Sequence, residues 1–289
     1  MTGAAGPAPV EPPPLPPSLG GELVPPPEAR PSERGGARWI PGGLLVLDLL
    51  LLLLALSLAH VTAEGPAKRS LRQSVAILTE VDAFMDERWE TFREEAEQTP
   101  GQDERLMLPD FPVRVTFTPQ EVLASDREGF HALLLTRAAE RVYEDGMSAF
   151  QEDQEDDIGF LSLAGAVRNG MNLLRPTPHA VFVALTIALS VLATLLALGL
   201  VLAGRGSGRL LALGVSVSLA ALLFFISAIA LRFALRSAAD GLDDYLALEF
   251  LALAEELTWA PIRNGMIFSV GGGVLLALGA TLALSSDRR

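Results

Sequence analysis

The chain has 289 residues, half of them hydrophobic, and a mean hydropathy of +0.36. It carries 22 Lys+Arg against 35 Asp+Glu, a formal net charge of −13, and no cysteine. This composition excludes disorder over most of the length and argues against nucleic-acid binding. It also rules out disulfides, thiolate metal sites and cysteine nucleophiles.

Residues 1–43 form the first unit. Proline runs at 12–14, 16–17 and 25–27 and few large apolar side chains predict a disordered tail with polyproline II character. Pro13 and Pro16 stand in a P-x-x-P frame that would suit a proline-binding partner; a plain solvated tail is the simpler expectation. A single Lys among the 22 basic residues points to a GC-rich, bacterial source.

Four long apolar segments follow, at 44–61, 180–203, 210–231 and 266–284. A helix needs about 20 apolar residues to cross about 30 Å of hydrocarbon. The fold class expected is therefore an all-α membrane protein with four transmembrane helices. A mainly helical extracytoplasmic domain, with one short strand possible, is inserted between spans 1 and 2. Val61-Thr62-Ala63 before Glu64 also resembles a signal-peptidase site, so a cleaved first span is the rival reading. The 43 residues ahead of it are very long for the charged region of a signal peptide, which favours an uncleaved anchor. Asp48, near the start of span 1, is expected to reach the headgroup region.

Arginines in the short loops set the expected orientation. Arg30, Arg34, Arg38, Arg205, Arg209, Arg288 and Arg289 fall on one side, against Arg232, Arg236 and Arg263 in the 232–263 loop. Both termini, including the 285–289 tail, are expected in the cytoplasm of a plasma-membrane protein, with both acidic segments outside.

Residues 62–178 hold 12 basic and 23 acidic residues. Leu71, Val75, Leu78, Val81, Met85, Trp89, Phe92 and Ala96 recur every three or four residues, which predicts one long amphipathic helix ending at Thr99-Pro100-Gly101. Val113, Val115 and Phe117 alternate with polar residues between Pro112 and Pro119, the period of a short strand or an extended strap, with no evident partner strand. Thr118-Pro119-Gln120-Glu121 reads as a capping box, and Ser125-Asp126-Arg127-Glu128 as a second helix start. That second helix runs to about Asp145 and is closed by Gly146. Glu152–Asp157 has five acids in six residues but lacks the order of a calcium loop, so a solvated loop is expected. A last helix, from Ile158 to Leu174, leads to span 2.

In the 232–263 segment, Leu235, Ala238, Leu242, Tyr245, Leu246, Leu253 and Leu257 predict an amphipathic continuation of span 3. The two outer segments are expected to share one helical bundle with Trp89 and Phe92 in its core. Two further features stand out. Gly265, Ser269, Gly273, Ala277 and Thr281 form a stripe of small residues at spacing four. The tetrapeptide Arg-Asn-Gly-Met occurs at 168–171 and again at 263–266, which would fit an ancient span–helix–span duplication. The candidate structural or interaction residues are thus Arg168, Arg263, Trp89, Gly265, Ser269 and Gly273.

No catalytic, cofactor or metal constellation stands out. His60 and His179, at the same ends of spans 1 and 2, would be the pair to share a metal or sense pH, but two unrelated interfacial histidines are the simpler expectation. The four-span layout is similar to that of tetraspanins and claudins, but those carry outer cysteines that this chain lacks, so no family is assigned. The function expected is non-enzymatic: a scaffold, sensor or accessory subunit acting through its acidic outer domain. The alternatives are a small transporter or channel subunit and, third, a membrane-embedded enzyme. Expected partners are the lipid bilayer and a protein partner or a second copy of the chain, with no nucleic acid and no cofactor.

Overall fold

In hydrocarbon every backbone polar group must be paired within its own segment, so the charge-free runs of Leu, Ala and Val fold as helices. Four helical stretches of the computed structural model are long and apolar enough to cross a membrane: Ile40–Thr62, Pro176–Leu202, Gly208–Ala239 and Tyr245–Ser285. The structure describes residues 33–99, 101, 104–108, 110–150, 169–203 and 208–286. The proline-rich tail, the Glu152–Asp157 run, most of the helix expected from Ile158, and Arg168 lie outside the described residues.

The first span belongs to α1 (Glu33–Thr62). It touches each of the other spans: α6 (Pro176–Ala203), α7 (Gly208–Ala239) and α9 (Trp259–Ser286). Its span is 39% buried, against 6% for that of α6, so α1 is the central post and α6 the outlying helix. Leu45, Leu49 and Leu52 of α1 pack with Ala193 and Leu200 of α6 and Ala220 of α7. Two polar ties supplement this packing. Asn264 Nδ2 on α9 donates to Ser57 Oγ on α1 at 3.0 Å, and Thr62 Oγ1 on α1 lies 3.1 Å from His179 Nδ1 on α6.

After a break at Ala63 the chain continues as α2 (Glu64–Thr79), then α3 (Val81–Gln98). The single long helix expected over this stretch is two helices. Glu80 sits between them in the left-handed region, at φ 44° and ψ 45°. The apolar period carried straight through the joint, which is why the sequence hid it. The bend has a visible consequence at Leu78, which is left 37% exposed while Val75 and Val81 are buried.

The inserted domain has its own core. Trp89, Phe92, Phe117 and Phe130 stack with ring centroids 4.8–6.3 Å apart, and Leu71, Met85, Val122 and Leu134 surround them. Phe111, Val113, Val115 and Phe117 are buried in strict alternation, as the strand period required. The missing partner is β1 (Leu106–Met107), antiparallel to β2 (Thr116–Phe117). Two residues are too few to leave a periodic signal. Helix α4 (Pro119–Ala124) starts with the expected Thr118–Glu121 capping box, and α5 (Arg127–Asp145) is capped by Asp126, whose carboxylate accepts from Gly129 N–H at 2.8 Å. Gly146 closes α5 with φ +66° and leads into the short 3-10 turn Gly146–Ala149.

The second polar segment does not join this core. Helix α7 runs on to Ala239, and α8 (Tyr245–Leu257) folds back against it and touches α2. Trp89 and Phe92 find their partners on β2 and α5 instead.

The bend at Glu80 yields a test of opposite signs. A left-handed non-glycine residue costs roughly 1–2 kcal/mol, so Glu80→Gly should stabilise the folded chain by about 1 kcal/mol, read by thermal unfolding in detergent. In a continuous helix the same change would destabilise it by a similar amount.

Candidate functional site

The region with most polar chemistry is the level at which the spans give way to the inserted domain and α8. Here α1, α6, α7, α8 and α9 meet. Thr62 Oγ1 donates to the Leu58 carbonyl at 2.7 Å, which uses its only proton, so His179 Nδ1–H donates to Thr62. His60 Nδ1 likewise donates to the Leu56 carbonyl on its own helix. The two histidines therefore do not face each other: His60 and Thr62 are two residues apart on a helix, about 200° around its axis. Among the described residues no three His, Asp or Glu side chains gather as metal ligands.

On α8, Glu255 Oε1 accepts from two arginines of α7. Arg232 approaches through Nη2 at 2.8 Å and Arg236 through Nη2 at 2.6 Å, and the Arg232 guanidinium also lies over the Trp259 ring at 5.8 Å. This clamp fastens α8 along α7. Between them is an open cleft of about 430 Å³ lined by Phe233, Leu248, Leu251 and Arg236 among others. Lys68 on α2 reaches Glu64 at 2.9 Å and Glu140 of α5 at 3.5 Å, and the Glu64 hydrogen bond is the main cause that raises its pKa above the ordinary lysine value. In the domain, burial pushes the Glu121 carboxyl up, but hydrogen bonds from Thr118 and Arg137 outweigh it and hold the pKa below the usual glutamate value.

Of the candidate residues, Trp89 is a core side chain of the inserted domain, against Phe130 at 5.2 Å. Arg263 is exposed, while its neighbour Asn264 is buried on Ser57. The repeated tetrapeptide meets unlike surroundings. Gly265 abuts the Phe225 backbone and Met266 is exposed, whereas Gly170 faces open space and Met171 lies in the domain core.

The small-residue stripe is the instructive case. The close seam between α7 and α9 runs along Gly265, Gly272 and Gly279, facing Phe225, Ser218 and Leu211. Gly214 approaches Leu276 from the other side. Gly265 lies on this seam, and Ser269 has a buried hydroxyl near it, but Gly273 faces away with nothing within 4 Å. A spacing of four rotates about 40° per step around a helix and soon leaves a neighbour, whereas a spacing of seven drifts only about 20° and stays on it.

Sequence reasoning also misplaced Asp48. It is buried, 5% exposed, with neither carboxylate oxygen hydrogen-bonded. Eight residues separate it from Ile40, about 12 Å along the axis, and one methylene cannot carry a carboxylate that far to water. The Ser57–Asn264 and Thr62–His179 ties left no sequence signal, because they join residues 207 and 117 positions apart.

The fold and these ties fit the class of polytopic helical membrane proteins. No protein-family model, curated protein or solved structure matches the chain.

The seam predicts contrasting glycine variants. A Cβ at Gly272 would lie 2.7 Å from the Ser218 backbone nitrogen, so Gly272→Ala should destabilise the detergent-solubilised protein by about 1–3 kcal/mol. Gly273→Ala should be neutral or stabilise by up to about 1 kcal/mol, since alanine is the better helix former. Thermal unfolding that shifts both the same way would contradict the seam.

Proposed function

We propose that the protein is a non-enzymatic membrane subunit that holds an acidic helical domain at the membrane surface for a protein partner. In this reading it sits in a bacterial plasma membrane with both termini in the cytoplasm and the domain outside. The observation that carries it is the two-sided character of α3. One face, Val81, Met85, Trp89, Phe92 and Ala96, is spent on the core. The other exposes Glu87, Glu90, Glu94 and Glu95, none in an ion pair among the described residues, while Asp86 and Glu97 are paired to Arg127 and Arg93 and Asp82 lies 3.3 Å from His131 Nε2.

Mounting supports the same reading. Val61, at the end of span 1, packs against the domain core, so the core begins where the span ends. Arg175, just before α6, donates to the Glu144 carbonyl at the far end of α5. The domain is therefore held at two points on the bundle, which suits presentation of a fixed surface. A carboxylate face of this kind steers a basic partner and sets its orientation more than it sets raw affinity.

The test is charge reversal. With Glu87, Glu90 and Glu94 changed to Lys in the full chain, the partner co-purified from native membranes should fall roughly tenfold or more, a loss of about 1.4 kcal/mol. Reversal of Glu249 and Glu256 on α8 should leave it unchanged. Equal recovery with all variants, the domain still melting as wild type, would contradict the proposal.

A further inference from the structure

We propose that Asp48 is a proton-binding site inside the helical bundle, which exchanges its proton as α6 moves against α1. This goes beyond the partner-binding reading and does not depend on it. The starting observation is geometric: both Asp48 oxygens are buried and neither has a hydrogen-bond partner.

Among the described residues of the spans none supplies a compensating charge at this level. Asp48 shares its stretch of α1 with Leu45, Leu49 and Leu52, which pack on Ala193 and Leu200 of α6 and Ala220 of α7. On α1 no titratable residue stands between Arg38 and Asp48, nor between Asp48 and His60. On α6 there is none from Ala180 to Ala203, on α7 none between Arg209 and Arg232, and on α9 none between Arg263 and Ser286. Gly42 of α1 lies level with Ser216 of α7, so Arg209 is about 20 Å along the axis from Asp48. An ionised carboxylate here would be an uncompensated charge in a lipid-embedded bundle, which strongly favours the neutral acid. With a proton bound, the group is neutral and needs only one acceptor.

The ligand is a proton rather than a metal cation. Hard cations need about six oxygen ligands, whereas Asp48 is the one carboxylate on these stretches of the spans; most hydroxyls of the bundle are committed to their own helices, and the two without a partner, Ser218 and Ser269, belong to α7 and α9, where Ser218 abuts Gly272. Ser57 donates to the Leu53 carbonyl and Ser216 to that of Ala212. On α6, Thr186, Ser190 and Thr194 each donate to their own helix.

The arrangement also shows how the proton would come and go. Helix α6 is the least enclosed span, at 6%. Its described polar ties, Thr62 to His179 and Arg175 to Glu144, are at the end remote from Asp48. At the level of Asp48 the described cluster that holds it is apolar, of Leu, Ala and Val side chains. Tilting α6 about its fastened end would open Asp48 to water from the Ile40 side without breaking a polar tie.

The experiment uses the full chain in vesicles of phosphatidylethanolamine and phosphatidylglycerol with dicyclohexylcarbodiimide, an apolar reagent selective for buried protonated carboxyls. The acid proton passes to a carbodiimide nitrogen and the carboxyl oxygen bonds the central carbon, giving an O-acylisourea; its acyl group then shifts from that oxygen to the neighbouring nitrogen, leaving a stable N-acylurea adduct with no other reactant. Peptide mass analysis should place one adduct at Asp48, and labelling should fall roughly tenfold per pH unit above its midpoint. Infrared spectra should show a protonated-carboxyl band that shifts in D2O and is missing from Asp48→Asn. No adduct at Asp48 in the wild-type protein would overturn the proposal. So would a band that never exchanges in D2O, since Asp48 would then be an inert structural acid. Neither wild-type readout requires the variant to fold.

Discussion

Lipid removes the force that holds soluble helices together. The tails around a span are as apolar as its neighbours, so association depends on close packing and on the few hydrogen bonds that cross between helices. Here α7 and α9 meet backbone to backbone through Gly214, Gly265, Gly272 and Gly279. The central α1 is joined to α9 by Ser57–Asn264 and to α6 by Thr62–His179. Remove close approach at the glycines and the pair of α7 and α9 loses its backbone-to-backbone seam. Helix α1, and the domain that begins at its end, are tied to that pair through Asn264 and to α6 through His179.

From the junction outward the solvent is water and the rules revert. The inserted domain has a conventional aromatic and aliphatic core, with Trp89, Phe92, Phe117 and Phe130 at its centre, and burial of such side chains at about 1.5–3 kcal/mol each is what holds it. The two regimes meet at Val61 and Ala67, where the face of α1 passes into the core of the domain. Glu255 bridges Arg232 and Arg236 at the same boundary, where apolar spans and charged segments need a shared polar belt. Asp48 is the exception to both regimes, the one buried acid among the described residues, set in the apolar part with neither oxygen hydrogen-bonded.

How much of this was legible in the sequence follows from range. Local signals were reliable: the four apolar stretches, the Thr118–Glu121 box, the Gly146 stop and the alternation at Val113, Val115 and Phe117 all reappear in the structure. Signals that depend on which way a helix faces were not. The stripe at spacing four included Gly265 but passed over Gly272 and Gly279, because a helix drifts away from any partner at that period. The joint at Glu80 was hidden because both helices present the same apolar face across it. The ties that order the bundle join distant residues whose identities, Ser, Asn, Thr and His, are unexceptional by themselves.

The central claim, that α1 stands between α6 and α9 and orders the bundle, can be read directly because the chain has no cysteine of its own. Cysteine pairs placed at positions 57 and 264 and at 62 and 179, in the full chain in membranes, should each cross-link with a short thiol-bridging reagent, since the native side chains approach within 3.0 and 3.1 Å. A control pair at 57 and 273 should stay unlinked. Failure of both native pairs, or equal cross-linking of the control, would contradict the account.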